Sequence, residues 1–497
     1  VPNAAESLGI ERGNSGIEAP SAVCQARKEL ALPWAARVER FACVAPFSGP
    51  SYNHEGSEGE WSGDLMADTE LTARYDRRHF LRGLGAAGSL ALGNQLLAAC
   101  SHRTPPHNDG QVIHLLWSDV TRAYTPLLEE FTRASGIKVV QTIVPYNQRL
   151  DKINTTVLGG GDFDVIQMDT VWTAQFAAAG WVEDLTDRLT DTMTSDIPAS
   201  SLRAVTYRGK VYGVPLFNSA KHLFYHQGLL RQAGFDRPPA TLDDFVFQAK
   251  TTTKPGQWGS IWSWKQSEAL VCDWLSIMFT SASAQLTDAD GGAVFHRAGG
   301  VEALQWMVDL LFRHRAADPA SLECTEDDVR KALQTGRYAL TYNWEGVLPE
   351  ANDPAISRAA PHVRVALLPG AEGVRSASVS GAEGWAILSH SKRKEVAWQL
   401  LRHMAGPSWQ KGSAMTTGNY PILASLYSDP ELQRTVQDFS VYGEQFNYLV
   451  VRPQIINYAQ ISDILQKHLH ASLLREVSSQ EAIGAAAAEV NRAMATP

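Results

Sequence analysis

The sequence predicts an α/β fold built on a mainly parallel sheet, and three observations carry that reading. Strand-like apolar runs alternate with helix-like amphipathic runs from residue 111 onward. Glycines stand where the helix-like runs should stop, at Gly136 and at Gly159-Gly160-Gly161. Hydrophobic residues at 44% and charged residues at 20% describe a chain with ample core rather than a disordered one. In order, 111–117 reads as a strand ending in Ser118-Asp119, 123–135 as a helix, 137–144 as a strand and 148–158 as an amphipathic helix. A buried strand at 164–168 and helix-forming 173–179 follow. Tyr212-Gly213-Val214-Pro215 then enters an extended run over 216–225, long enough to cross between domains. Residues 229–350 are rich in helical spacing and tryptophan, 382–388 and 393–404 form a second strand–helix unit, and 462–494 read as one or two amphipathic helices. At ~150 residues per domain the 497 residues allow two to four domains.

The first hundred residues read as an address. Residues 1–76 mix Gly, Ser, Pro and charge without periodicity and are expected to be a disordered or non-native extension. Arg77-Arg78 ahead of the short, weakly apolar run 83–97 resembles a twin-arginine export signal spanning 77–100. Leu97-Ala98-Ala99-Cys100 resembles a lipoprotein processing box, which makes Cys100 the expected lipidation site and 101–110 a tether. The competing reading is a small Ala/Gly-rich helix with a buried cysteine. No run of ~18 apolar residues is present, so membrane contact is expected only through that lipid anchor.

The net charge of −9 argues against sequence-independent nucleic-acid binding, which needs phosphate-neutralising cations. Cys24, Cys43, Cys100, Cys272 and Cys324 form no metal-ligand spacing, and in the mature body only Cys272 and Cys324 could pair. The search for catalytic motifs is negative. Gly159-Gly160-Gly161-Asp162 lacks the Lys-Ser/Thr of a phosphate loop and reads as a helix cap. Asp162 and Asp164 read as a turn and strand start, and His468 and His470 lie on different helix faces. No catalytic residue, metal site or cofactor is expected.

What remains are aromatic residues and single polar groups at strand ends. Sugars present hydroxyls that need donors and acceptors, together with C–H faces that stack on rings. Each tryptophan alone is more often core than platform. The ordered set resembles the bacterial extracellular solute-binding proteins of carbohydrate ABC importers, the maltose/trehalose-type branch. It comprises Gly160-Gly161-Asp162-Phe163-Asp164-Val165-Ile166-Gln167-Met168-Asp169 with Trp172, and Ala179-Gly180-Trp181-Val182-Glu183-Asp184-Leu185. Tyr212-Gly213-Val214-Pro215, Gly336-Arg337-Tyr338-Ala339-Leu340 with Asn343-Trp344, Gly384-Trp385-Ala386-Ile387, and Arg452-Pro453 follow in family order.

The resemblance implies a two-lobe periplasmic-binding-protein-like fold (type II), each lobe a mainly parallel sheet flanked by helices, with ligand in the cleft between lobes. Lobe one would take 111–217 and 376–432, and lobe two 218–375 and 433–497. Ser118 and Asp119 should reach the cleft, unless they cap the next helix. Asp169, beside Trp172, matches a lobe-one carboxylate that accepts sugar hydroxyls. Asn218 or Ser219 lies on the crossing segment, Glu268 matches a lobe-two acid, and Trp344 would be the stacking floor. Gly381 to Glu383 occupies a loop where related sequences often carry Gly-Gly; Gly-Ala-Glu here narrows the pocket or adds an acceptor. Arg452 matches a multi-donor fork to hydroxyls, with an interlobe salt bridge as its alternative.

The function so implied is capture of an α-linked disaccharide, trehalose or maltose class, by a monomeric periplasmic lipoprotein that delivers it to permease subunits. Two alternatives stand: an exported hydrolase, for which Asp169 and Glu268 are the testable acid pair, and a binder of glycerol-phosphate-type ligands.

Overall fold

A computed structural model describes residues 111–118, 122–288 and 291–495. The residues read above as an extension, an export signal, a processing box with Cys100 and a tether, and also Asp119, lie outside the described residues.

The first half builds β1 (Val112–Trp117), α1 (Thr125–Ser135), β2 (Lys138–Ile143), α2 (Tyr146–Gly159), β3 (Val165–Asp169), β4 (Val214–Phe217) and β5 (His222–His226). The middle adds β6 (Trp258–Ser260), α3 (Glu268–Met278), α4 (Gly300–Phe312), α5 (Glu326–Gln334), β7 (Tyr338–Asn343) and β8 (Val363–Ala366). Then follow β9 (Glu383–Ile387), α6 (Lys394–Met404), α7 (Tyr458–Leu473) and α8 (Ser479–Met494). Gly136 and Gly160 end α1 and α2 with left-handed φ of 75° and 71°, the conformation that relieves the last helical carbonyls. The C-terminal stretch forms two helices because Ser478 and Glu481 make a capping box that restarts the chain as α8.

Among the described residues the two larger sheets have the orders β2-β1-β3-β9-β4 and β8-β5-β7-β6. The expectation of mainly parallel sheets needs correction. In the first sheet β1 is parallel to β2 and β3, but β9 runs antiparallel to both β3 and β4. In the second only β6 and β7 are parallel. A local crossover helix enforces the parallel direction, as α1 and α2 do between β1, β2 and β3. Strand β9 enters its sheet from the other lobe and is free of that constraint.

Burial follows the period of two along the strands. Ile113, Leu115, Trp117, Trp385 and Ile387 pack with α1 and α6 on one face of the first sheet, while Leu116, Ile166, Met168 and Ala386 pack on the other. Lobe two gathers Trp262, Trp264 and Trp274 with Phe245 and Tyr342 into one core under α3, α4, α7 and α8. Those three tryptophans are therefore core. A further cluster joins Ala414, Tyr420, Ile422 and Leu432 to Phe224, Val363 and Val365, so part of 376–432 packs against lobe-two strands. Cys272 and Cys324 are both free thiols.

Three segments cross between the sheets and bond side by side. Ala220 bridges Ser380, and Ser378–Val379 pairs in parallel with Leu449–Val450. The Ser378 hydroxyl donates to the Lys221 carbonyl at 2.8 Å, and the Gly381 amide to the Ser219 carbonyl at 2.9 Å.

Candidate functional site

Strands β1 and β3 and helix α2 present their ends to one gap between the sheets, as ligand-binding ends of α/β layers do. At the end of β1, the Ser118 amide donates to Gln167 Oε1 at 2.8 Å. Ser118 Oγ and Trp117 Nε1 have no protein partner. On α2, Arg149, Ile153 and Thr156 form the buried stripe, which carries a guanidinium inward. The Arg149 guanidinium lies 5.0 Å from the Tyr146 ring centroid and 5.1 Å from that of Trp172, and donates to Glu383 at 2.8 Å. Glu383 begins β9 directly opposite Asp169 on β3.

Asp169 does two things. Its Oδ1 accepts from the Val171 amide at 3.2 Å, capping the turn that positions Trp172, and from Arg452 at 2.9 Å. Its Oδ2 accepts from the Tyr146 hydroxyl at 2.7 Å. Burial, reinforced by the neighbouring Asp169 charge, raises the Tyr146 pKa well above its ordinary value, so the phenol stays a donor. Arg452 reaches across the gap: its other amino group donates to Glu268 at 2.9 Å, and Nε donates to the Ser380 carbonyl at 3.3 Å. Glu268, in the first turn of α3, also accepts from Tyr458 at 2.7 Å and from Ser462. An acid in the first turn suits the positive end of the helix.

The opposite wall is Trp344, just past β7. Its indole donates to Glu326 at 2.6 Å, and the Lys221 ammonium lies 5.3 Å from the ring centroid. Lys221 and Asp273 form a fully buried ion pair at 2.6 Å behind it. A Cβ at Gly381 would stand 2.4 Å from Trp344 Cζ3, so only glycine lets the crossing segment pass against this ring. Glu345 anchors the neighbouring crossing segment, accepting from Ser219 Oγ at 2.7 Å and the Ala220 amide at 2.8 Å. Burial lifts its pKa to about 7.

These groups enclose a cavity of about 230 Å³, lined by Ser118, Asp169, Ser219, Glu268, Trp344, Gly381, Glu383 and Arg452. Eight of the sequence-predicted residues thus meet in one place. Trp172 lies instead on an adjoining cavity of about 610 Å³ that shares Ser118, Tyr146, Glu268 and Glu326. Asn218 is not on either wall. It accepts from Ser201 and donates to Tyr427 and the Pro421 carbonyl, which ties down the crossing segment. Trp117, Tyr146, Arg149, Gln167 and Glu326 also line the chamber and were not expected there. Arg149 was the legible one, as a charge in the buried stripe of a helix.

Arg452 forms the salt bridge that was its alternative reading, joining Asp169 on one side to Glu268 on the other, and it also lines the chamber. The same bridge bears on the hydrolase alternative, which requires one protonated acid and one ionised partner. Here a single arginine compensates both carboxylates. Among the described residues no group of three or more potential metal ligands exists.

Two α/β sheets, three crossing segments and a polar chamber between them define a protein that holds a small solute between two lobes. The family model described as bacterial extracellular solute-binding protein matches residues 117–411. The chain belongs to that family, whose members are binding proteins rather than enzymes. It is 26% identical over 332 residues to a Deinococcus radiodurans protein described as "Probable ABC transporter-binding protein", covering 63% of this chain and 76% of that one. It is 23% identical over 442 residues to the erythritol/L-threitol-binding protein of Mycolicibacterium smegmatis, covering 80% and 90%. Maltose-bound MalE3 of T. maritima superposes with a TM-score of 0.73 at 29% identity, covering 77% of this chain and 99% of that one.

Proposed function

We propose that the protein captures an uncharged saccharide outside the cytoplasm and delivers it, chemically unaltered, to the permease of an ABC importer. The observation that carries this reading is the chamber itself, lined from both lobes, in which the carboxylates are already held by protein donors and Trp344 supplies a ring. A ligand there must satisfy isolated donors and cover an aromatic face, which a sugar does. An α-linked disaccharide of the trehalose or maltose class would seat one ring in the inner cavity of about 230 Å³ and the second toward the adjoining one of about 610 Å³. Similarity to maltose-bound MalE3 supports this choice. The inner volume lies below the ~300–1,000 Å³ usual for small-molecule sites. That favours, as a second reading, a single sugar or short polyol, in line with the erythritol/L-threitol-binding relative. A phosphate ligand fits poorly, because four carboxylates (Asp169, Glu268, Glu326, Glu383) face two arginines around the chamber.

A thermal-shift series with trehalose, maltose, glucose, mannitol and erythritol separates these, since a tight ligand raises the midpoint by mass action. A disaccharide giving the largest shift supports the first reading, a polyol the second, and no shift with any of them removes both. Lipid attachment at Cys100 and a monomeric state belong to the same proposal. Cys100→Ser should move the protein from the membrane fraction to the soluble extracytoplasmic one.

A further inference from the structure

We infer that Glu383 is the residue that sets the charge preference of the chamber, by occupying Arg149 and so reserving the site for neutral ligands. This rests on the saccharide-binding reading above and adds to it a residue and a rule. Glu383 and Asp169 face each other across β9 and β3, and like charges so placed repel. Each is taken by its own arginine, Asp169 by Arg452 and Glu383 by Arg149. Arg149 is fully buried, so an uncompensated charge there would be strongly destabilising. The other chamber carboxylates are committed elsewhere: Asp169 to Arg452 and Tyr146, Glu268 to Arg452 and Tyr458, Glu326 to Trp344 and Lys221. Among the described residues Glu383 is the anion that answers Arg149. Burial raises the Glu383 pKa, an effect that Arg149 opposes and the Asp169 charge reinforces.

With the pair intact, the Arg149 charge is answered from within the protein, and an acidic sugar meets the surplus negative charge of the lining. With Glu383 neutralised, Arg149 becomes a buried cation that a ligand carboxylate can answer with charge-assisted hydrogen bonds. The identity of one side chain thus decides between neutral and acidic saccharides of the same shape.

The experiment is calorimetry on the full chain with the best neutral sugar of the thermal-shift series and with the corresponding uronate, for wild type, Glu383→Gln and Arg149→Met/Glu383→Gln. Wild type should take the neutral sugar and not the uronate. Glu383→Gln should shift the neutral-to-acidic preference toward the uronate on the order of tenfold to hundredfold, and the double variant should lose that gain. A Glu383→Gln protein that still binds the neutral sugar but gains nothing for the uronate overturns the inference and leaves the saccharide reading standing. A wild type that binds neither removes both. Should Glu383→Gln fold poorly, Glu383→Ala probed with formate decides the matter by thermal shift. Formate should raise the melting midpoint of Glu383→Ala and not that of Arg149→Met/Glu383→Ala, and equal response of the two would refute the pairing.

Discussion

On the lobe-two wall of the chamber, Glu268 receives Arg452, Tyr458 and Ser462, and Glu326 receives Trp344 and Lys221. On the lobe-one wall, Ser118 Oγ, Trp117 Nε1 and Arg149 Nε have no protein partner. One wall is a finished hydrogen-bonded surface, and the other keeps donors in reserve. Buried polar groups left unanswered cost free energy, and around this chamber they fall on the lobe-one side. The two walls thus differ in how far the protein answers its own polar groups, and Arg452 is a side chain that bonds to both.

The strongest attempt to break this division is Arg452→Met. It leaves Asp169 and Glu268 buried without their cation, and stability should fall by about 3–5 kcal/mol. Urea unfolding measures this, and a drop below ~1 kcal/mol would mean that the bridge is not a structural element. Glu345→Gln sharpens the lobe-two side. The folded chain holds the Glu345 proton up to about pH 7, against 4.5 ordinarily. Its stabilising contribution is therefore fully present below pH 4.5 and lost as pH rises through 7, worth at most roughly 3 kcal/mol. The variant should gain on wild type between pH 4.5 and 8, and parallel stability curves would refute the assignment. Gly381→Ala should push Trp344 aside, costing about 1–3 kcal/mol through overpacking and weakening sugar binding. Unchanged indole fluorescence and affinity would show that the ring is not fixed by this contact. Ser118→Ala has the smallest effect: no loss of stability, because no protein bond is broken, and a weakening of affinity by about 1 kcal/mol. A melting shift without an affinity change would invert the comparison.

The elements easiest to read from sequence were those whose local chemistry is complete. Strands β1 and β3 are fully apolar runs over most of their length, and α2 carries its own glycine stop. The crossing pair Ser378–Val379 and Leu449–Val450 has only two residues a side, too few to show any period. Strand direction in the mixed sheets was likewise hidden, because it follows from where the chain returns rather than from composition. In the site, Asp169 and Trp344 were legible at strand ends. The partner of Arg149 was not, since Glu383 lies 234 residues away and only the folded register brings them together.

The band of three crossing segments, bonded through Ala220 and Ser380 and through Ser378–Val379 and Leu449–Val450, has a mechanical corollary. A hydrogen-bonded ribbon resists sliding of one ply past another more than it resists bending across its plane. Ser219, Gly381 and Arg452 sit on or beside that ribbon and line one chamber with Ser118 and Glu326. The strip that joins the two lobes and one edge of the chamber are therefore one piece of backbone.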